Sequence, residues 1–280
     1  MLAYRNFFRI QIRQTARSVF LNFSTDSKSG KLPHKKGISM AKTLGILGGL
    51  GPAASVYFYR IITEHTKADR DQDHLDIVLI SGASTPDRTE FILGKSERSP
   101  LPAMIDGVKK LTAAGADLIA IPCNTAHYFY DQIEKYSPVP VLNIVKETVA
   151  LAKKSGIKKL GIMATTGTVI TGAYQHACLE EGIAFAVPSE RAQAALMDII
   201  YGSIKTAKEP DMKAFLSVCD ELYENGADAL VLGCTELSLI GETEALASYR
   251  FIDSLLVLAA RAIRECGKIP YGFADIYGVI

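Results

Sequence analysis

Two stretches of this chain repeat each other. Gly115-Ala116-Asp117-Leu118-Ile119-Ala120-Ile121-Pro122-Cys123-Asn124-Thr125 corresponds to Gly226-Ala227-Asp228-Ala229-Leu230-Val231-Leu232-Gly233-Cys234-Thr235-Glu236, with the same spacing from Gly to Cys. The segments that precede them also correspond: Leu44-Gly45-Ile46-Leu47-Gly48-Gly49-Leu50-Gly51 resembles Leu160-Gly161-Ile162-Met163-Ala164-Thr165-Thr166-Gly167. Two matches in the same order point to a duplicated unit and rule out most single-sheet layouts.

Each unit reads as α/β. Apolar runs at 43–47, 76–80, 118–121, 139–144, 159–163 and 229–232 are continuous rather than alternating. That pattern suits strands covered on both faces. Amphipathic segments such as Pro102–Ala114 and Met212–Glu224 lie between the runs, closed by Gly115 and Gly226, the usual helix stop. The expected fold is two similar parallel-sheet α/β domains with a cleft between them. The expected boundaries are 40–139 plus 248–272 for the first domain and 140–247 for the second. Ligands of open parallel sheets bind at the carboxyl ends of strands. Cys123 and Cys234 stand at two such ends, so facing halves would bring both thiols to one cleft. Each is expected to precede a helix N-terminus, where the dipole favours thiolate.

Composition narrows the partners. The net charge of +1 over 280 residues leaves no electrostatic footprint for nucleic acid or for an acidic membrane. No apolar run reaches the ~18 residues of a spanning helix. Five widely spaced cysteines without a C-x-x-C pair argue against a disulfide framework and for a reducing compartment. Residues 1–39 differ: Arg5, Arg9, Arg13 and Arg17 recur at helical spacing, with Asp26 the lone acid. That extension reads either as an organelle transit peptide or as an upstream start before Met40. It is set aside from the fold, with a cytoplasmic location expected under the second reading.

Pro122-Cys123-Asn124-Thr125-Ala126-His127 and Gly233-Cys234-Thr235-Glu236 resemble the paired signatures of the aspartate/glutamate racemase family, part of the wider Asp/Glu/hydantoin racemase group. Leu44–Pro52, Thr85-Pro86-Asp87-Arg88-Thr89 and Ala164-Thr165-Thr166-Gly167-Thr168 resemble its aspartate racemase branch. The likeness spans roughly residues 42–265. Before Pro86 it departs from the family, reading Ser81-Gly82-Ala83-Ser84-Thr85 where relatives often carry an Asn-containing, proline-bearing stretch.

The resemblance implies a racemase of an acidic amino acid that works without pyridoxal phosphate or metal, often as a homodimer. By the same resemblance, Cys123 and Cys234 are the two acid/bases. Arg88 and Lys205 match cations of the side-chain carboxylate pocket. Asn124, Thr125 and Thr235 match donors to the α-carboxylate and amine, and Leu50 borders the substrate. Asp87, His127, Thr165 and Thr166 are supporting candidates. Asp87 either orients Arg88 or a catalytic thiol, or caps a helix, and His127 either tunes Cys123 or packs.

Other readings remain at this point. Cys123, His127 and Cys234 could ligate a metal but lack an obvious fourth ligand. Gly49-Leu50-Gly51-Pro52-Ala53-Ala54 fits G-x-G-x-x-A, yet Asp69, Asp71 and Asp73 precede the next strand instead of closing it, against a dinucleotide site. A two-lobed amino-acid-binding protein without catalysis, or a decarboxylase or isomerase on the same scaffold, would share fold and charge. The second cysteine is what a pure binder has no reason to place.

Overall fold

The structure, a computed structural model, describes residues 42–241 and 244–273. The expectation for residues 1–39 lies outside the described residues.

The first half runs β1 (Leu44–Gly48), α1 (Pro52–Glu64), β2 (Ile77–Ser81), α2 (Arg88–Ile92), α3 (Leu101–Ala113), β3 (Leu118–Ala120) and α4 (Tyr130–Tyr136). The second runs α5 (Ile144–Lys154), β4 (Lys159–Ala164), α6 (Thr166–Ile170), α7 (Ala173–Glu181), β5 (Ala184–Ala186), α8 (Glu190–Met197), α9 (Met212–Glu224) and β6 (Ala229–Gly233). A short strand β7 (Phe251–Asp253) and a helix α10 (Ser254–Glu265) follow.

Two parallel sheets result, ordered β2-β1-β3 and β5-β4-β6-β7. The duplication extends to the register: Leu44 pairs Leu118 in the first sheet as Leu160 pairs Ala229 in the second. The Gly-Ala-Asp repeat explains why. Gly115 and Gly226 take φ of +90° and +81°, which releases the chain from the preceding helix at little steric cost. Ala116 and Ala227 then pack on the strand glycines: a Cβ built at Gly45 would lie 2.8 Å from Ala116 Cβ, and one at Gly161 would lie 3.2 Å from Ala227 Cβ. Finally the aspartates bind the start of the central strand. Asp117 Oδ2 accepts from Thr43 N at 2.9 Å, and Asp228 Oδ2 accepts from Lys158 N and Lys159 N at 2.8 and 2.9 Å. One local device thus sets both registers. Replacing Gly45 by Ala forces Cβ onto Ala116 and the Leu118 carbonyl, and overpacking of this kind costs roughly 1–3 kcal/mol. Urea denaturation of Gly45→Ala is expected to read that loss; unchanged stability would remove the packing argument.

The strands are buried on both faces, as their continuous apolar pattern requires. Leu44, Ile46, Leu160, Ile162 and Val231 face one interior shared by both sheets, filled by α1, α5, α7 and α10. Opposite faces pack outward, Leu47 and Ile119 toward Met104, Val108 and Leu111 of α3, and Met163 and Leu230 toward the α8 and α9 side.

Three expectations change. Residues 139–144 form no strand: Val141 makes an isolated bridge to Ile119, because Pro138 and Pro140 lack N–H donors and Asn143 turns the chain into α5 as its cap. β5 and β7, three residues each, are too short to stand out as apolar runs. Residues 248–272 do not belong with the first half alone, since β7 pairs with β6 and α10 packs into the shared interior.

Candidate active site

β3 and β6 carry the two cysteines to one pocket. Cys123 and Cys234 line it, 6% and 5% exposed. From the first half come also Leu50, Arg88, Asn124 and Thr125; from the second, Thr165, Lys205 and Thr235. Three expected residues stand back from it. Asp87 caps α2, accepting from Glu90 N at 2.9 Å, and receives the Tyr201 hydroxyl at 3.2 Å. His127 is buried under the Cys123 loop. Thr166 Oγ1 receives Gln193 Nε2 at 3.3 Å.

Cys123 is followed by a 3-10 turn, Thr125–Phe129, that runs on into α4, and Cys234 by a shorter one, Leu237–Leu239. Side chains from other elements share the pocket with the thiols. Arg88 lines it together with Cys123. Its Nη1 donates to Pro86 O at 3.1 Å and its Nη2 to Leu50 O, so two loop carbonyls clamp the guanidinium in place. Burial opposes the Arg88 charge, but Cys123, Asp87 and Tyr201 outweigh it and the guanidinium pKa rises.

Cys234 has different company. Its Sγ–H donates to Glu236 Oε2 at 3.0 Å, and Lys205 Nζ stands 3.5 Å from Glu236 Oε1. Burial first, then the Glu236 charge, push the Cys234 thiol well up, while Lys205 pulls it down. Lys205 also sits 4.3 Å from the Tyr201 ring centroid, a cation–π contact within a helical stretch that includes the π-turn Asp198–Ser203.

Hydroxyls and amides hold the frame. Thr125 Oγ1 meets Thr165 Oγ1 at 2.9 Å and Thr168 Oγ1 at 3.0 Å, tying the halves together. Thr235 Oγ1 donates to Pro122 O at 3.3 Å, a second tie. Asn124 accepts from Tyr174 OH at 2.7 Å and donates to Ser254 Oγ at 2.9 Å, so its amide is held in one orientation.

His127 meets backbone, not the thiol. Its Nδ1 lies 2.9 Å from Cys123 O and its Nε2 receives Ile144 N at 3.2 Å. Burial depresses its pKa, against hydrogen bonds that raise it, which suits a neutral ring protonated on Nδ1. With both nitrogens engaged, His127 has no lone pair for a metal. Among the described residues no group of three His, Cys, Asp or Glu side chains is placed to hold one. The Gly-rich loop has a packing explanation: a Cβ at Gly49 would meet Gly82 N at 2.4 Å, and one at Gly51 would meet Glu236 Oε1 at 2.5 Å.

Thr89, Tyr201 and Glu236 line the pocket as well, and the sequence reading missed all three. Each adjoins a residue it singled out: Thr89 follows Arg88, Glu236 lies two past Cys234, and Tyr201 precedes Lys205 by one helical turn.

The chain is similar to known proteins in sequence and in fold. The Picrophilus torridus aspartate racemase superposes with a TM-score of 0.73 at 33% identity, over 85% of this chain and 99% of that one. The broad specificity amino-acid racemase RacX of Bacillus subtilis (strain 168) is 29% identical over 205 residues, 70% of this chain and 86% of RacX. The glutamate racemase of Aquifex pyrophilus is 36% identical over 135 residues, 45% of this chain and about half (48%) of that enzyme. The Asp/Glu/Hydantoin racemase family model matches residues 47–262, most of the described chain, and the protein belongs to that family.

Proposed function

We propose that this chain racemises an acidic amino acid without pyridoxal phosphate or metal, using Cys123 and Cys234 on opposite faces of Cα. The observation that carries the reading is the pocket itself: one thiol from each half, with Arg88 and Lys205 beside them. Inverting a Cα centre with one base requires that base to move. Two bases on opposite sides need not. A thiolate takes the Cα proton and the opposite thiol gives its own to the other face, so one proton leaves and one arrives. The thiol and thiolate have then exchanged places, and proton exchange with water or a turnover in reverse restores them.

The substrate class follows from charge. Arg88 presents a planar cation suited to a carboxylate, and Asn124, Thr125 and Thr235 place polar groups around the remaining substrate atoms. Lys205 is already paired with Glu236, so Arg88 is the stronger anchor for a distal carboxylate. Relatives named for aspartate and for glutamate support the acidic class, beside one named for broad specificity.

Incubation with each enantiomer of aspartate, glutamate and alanine in deuterated water tests this. The expected outcome is α-proton exchange and racemisation of an acidic pair, unaffected by prior treatment with a chelator and a carbonyl reagent. No exchange with any amino acid, or activity lost and then restored by pyridoxal phosphate, would overturn it.

A further inference from the structure

Glu236 closes the Gly233-Cys234-Thr235-Glu236 motif, and it is the one carboxylate among the residues that line the pocket. It is 5% exposed. Oε2 receives the Cys234 thiol at 3.0 Å, with Thr235 Oγ1 3.4 Å away. Oε1 has no hydrogen-bond donor, with Lys205 Nζ at 3.5 Å as its nearest charge. A buried carboxylate oxygen without a donor is costly, and is kept only where something offsets it. Gly51 makes room for it: a Cβ there would stand 2.5 Å from Oε1. The φ of Gly51 is 162°, extended backbone that any residue adopts, so glycine is needed for space rather than conformation. The first half thus has a notch into which the second half's carboxylate fits.

We propose that Glu236 is a positioning residue whose Oε2 holds the Cys234 proton in the resting enzyme, making Cys234 the proton donor of the first half-reaction and leaving the base role in that half-reaction to Cys123. The inference rests on the two-thiol reading above and deepens it by breaking the symmetry of the pair. No atom of Glu236 need leave or join the substrate: its Oε2 accepts the S–H hydrogen bond, and Cys234 gives that proton to Cα when the carbanion forms. The groups around Cys234 are Glu236 on its own loop, Lys205 and Tyr201 from the helical stretch after α8, and Cys123 and Arg88 from the first half. Among these Glu236 is the one carboxylate.

The test titrates the thiols directly, so it does not depend on turnover. The full-length protein is alkylated with iodoacetamide across a pH series and each cysteine is followed by peptide mass spectrometry. Cys178, Cys219 and Cys266 are buried, with pKa values pushed up to about 11, 12 and 11 by burial, and serve as slow internal references. Glu236→Gln is expected to move the Cys234 profile down by about one pH unit, a ~tenfold faster alkylation at neutral pH. The Cys123 profile should stay within twofold. Gly51→Ala, which displaces the carboxylate without removing it, should move Cys234 in the same direction by less, and carries the test if Glu236→Gln does not fold. An unmoved Cys234 profile, or equal movement of both thiols, overturns the assignment. Failure of the racemase reading would show separately, as absent α-proton exchange in the unaltered protein while the alkylation profiles still shift.

Discussion

Replacing either Cys123 or Cys234 by Ser is expected to lower net racemisation by roughly 10²–10⁴-fold, the usual contribution of a general acid or base. A serine hydroxyl does not ionise near neutral pH, so the variant loses one face of the reaction and keeps the other. Net rates alone cannot reveal which. The enantiomers are equal in free energy, so kcat/KM must be the same in both directions for any variant, however lopsided its site. The one-sidedness has to be sought in wash-in of solvent deuterium at Cα without inversion. Each single variant should exchange one enantiomer only, and the two variants should differ in which. Racemisation near the unaltered rate in either variant would exclude a two-thiol mechanism. Exchange of the same enantiomer by both would mean that the thiols do not flank the substrate.

The second large effect is expected at Arg88. Its guanidinium is buried, clamped by the Pro86 and Leu50 carbonyls and set against Cys123. Truncation to Ala removes the carboxylate anchor and leaves both carbonyls without their donor. A charged hydrogen bond of this kind is worth about 1.5–3 kcal/mol, so kcat/KM for the acidic substrate should fall by ~10²-fold, in kcat as well as KM because positioning is lost. Arg88→Lys keeps the charge but cannot span two carbonyls, and should recover only part of the rate. A neutral amino acid that the enzyme accepts should lose less than aspartate or glutamate. Equal losses for charged and neutral substrates would assign Arg88 to the thiol and not to the distal carboxylate.

The duplicated Gly-Ala-Asp-strand-Cys pattern made most of this legible in the sequence. Continuous apolar runs announce strands covered on both faces, and a Cys at the end of each copy places both thiols near the strand ends that line clefts. Arg88 and Lys205 came from matching short motifs, and both line the pocket. Electrostatics was harder to read. A Cys that follows a strand invites a helix-dipole argument, but Arg88, Tyr201 and Lys205, which share the pocket with the thiols, come from distant positions. Glu236 stands two residues from Cys234, yet its importance depends on Lys205 and Gly51, which only folding brings beside it. His127 is the reverse case: its spacing from Cys123 suggests contact with the thiol, whereas the helical turn delivers the ring to the Cys123 carbonyl. The short strands β5 and β7 were missed because three residues give no periodicity, and residues 139–144 misled because their prolines forbid the ladder that their apolar character suggests.

The shared interior has a consequence for how this protein fails. β1 and β4, though copies of one ancestral strand, send Leu44, Ile46, Leu160 and Ile162 into the same cluster, sealed by α10. Neither copy retains a closed interior once the other has melted, so the repeat does not confer the piecemeal, additive resilience of a repeat array. A lesion at Leu255 or Ile263, in the shared interior, weakens both halves at once, and the molecule is duplicated in sequence but single in its thermodynamics.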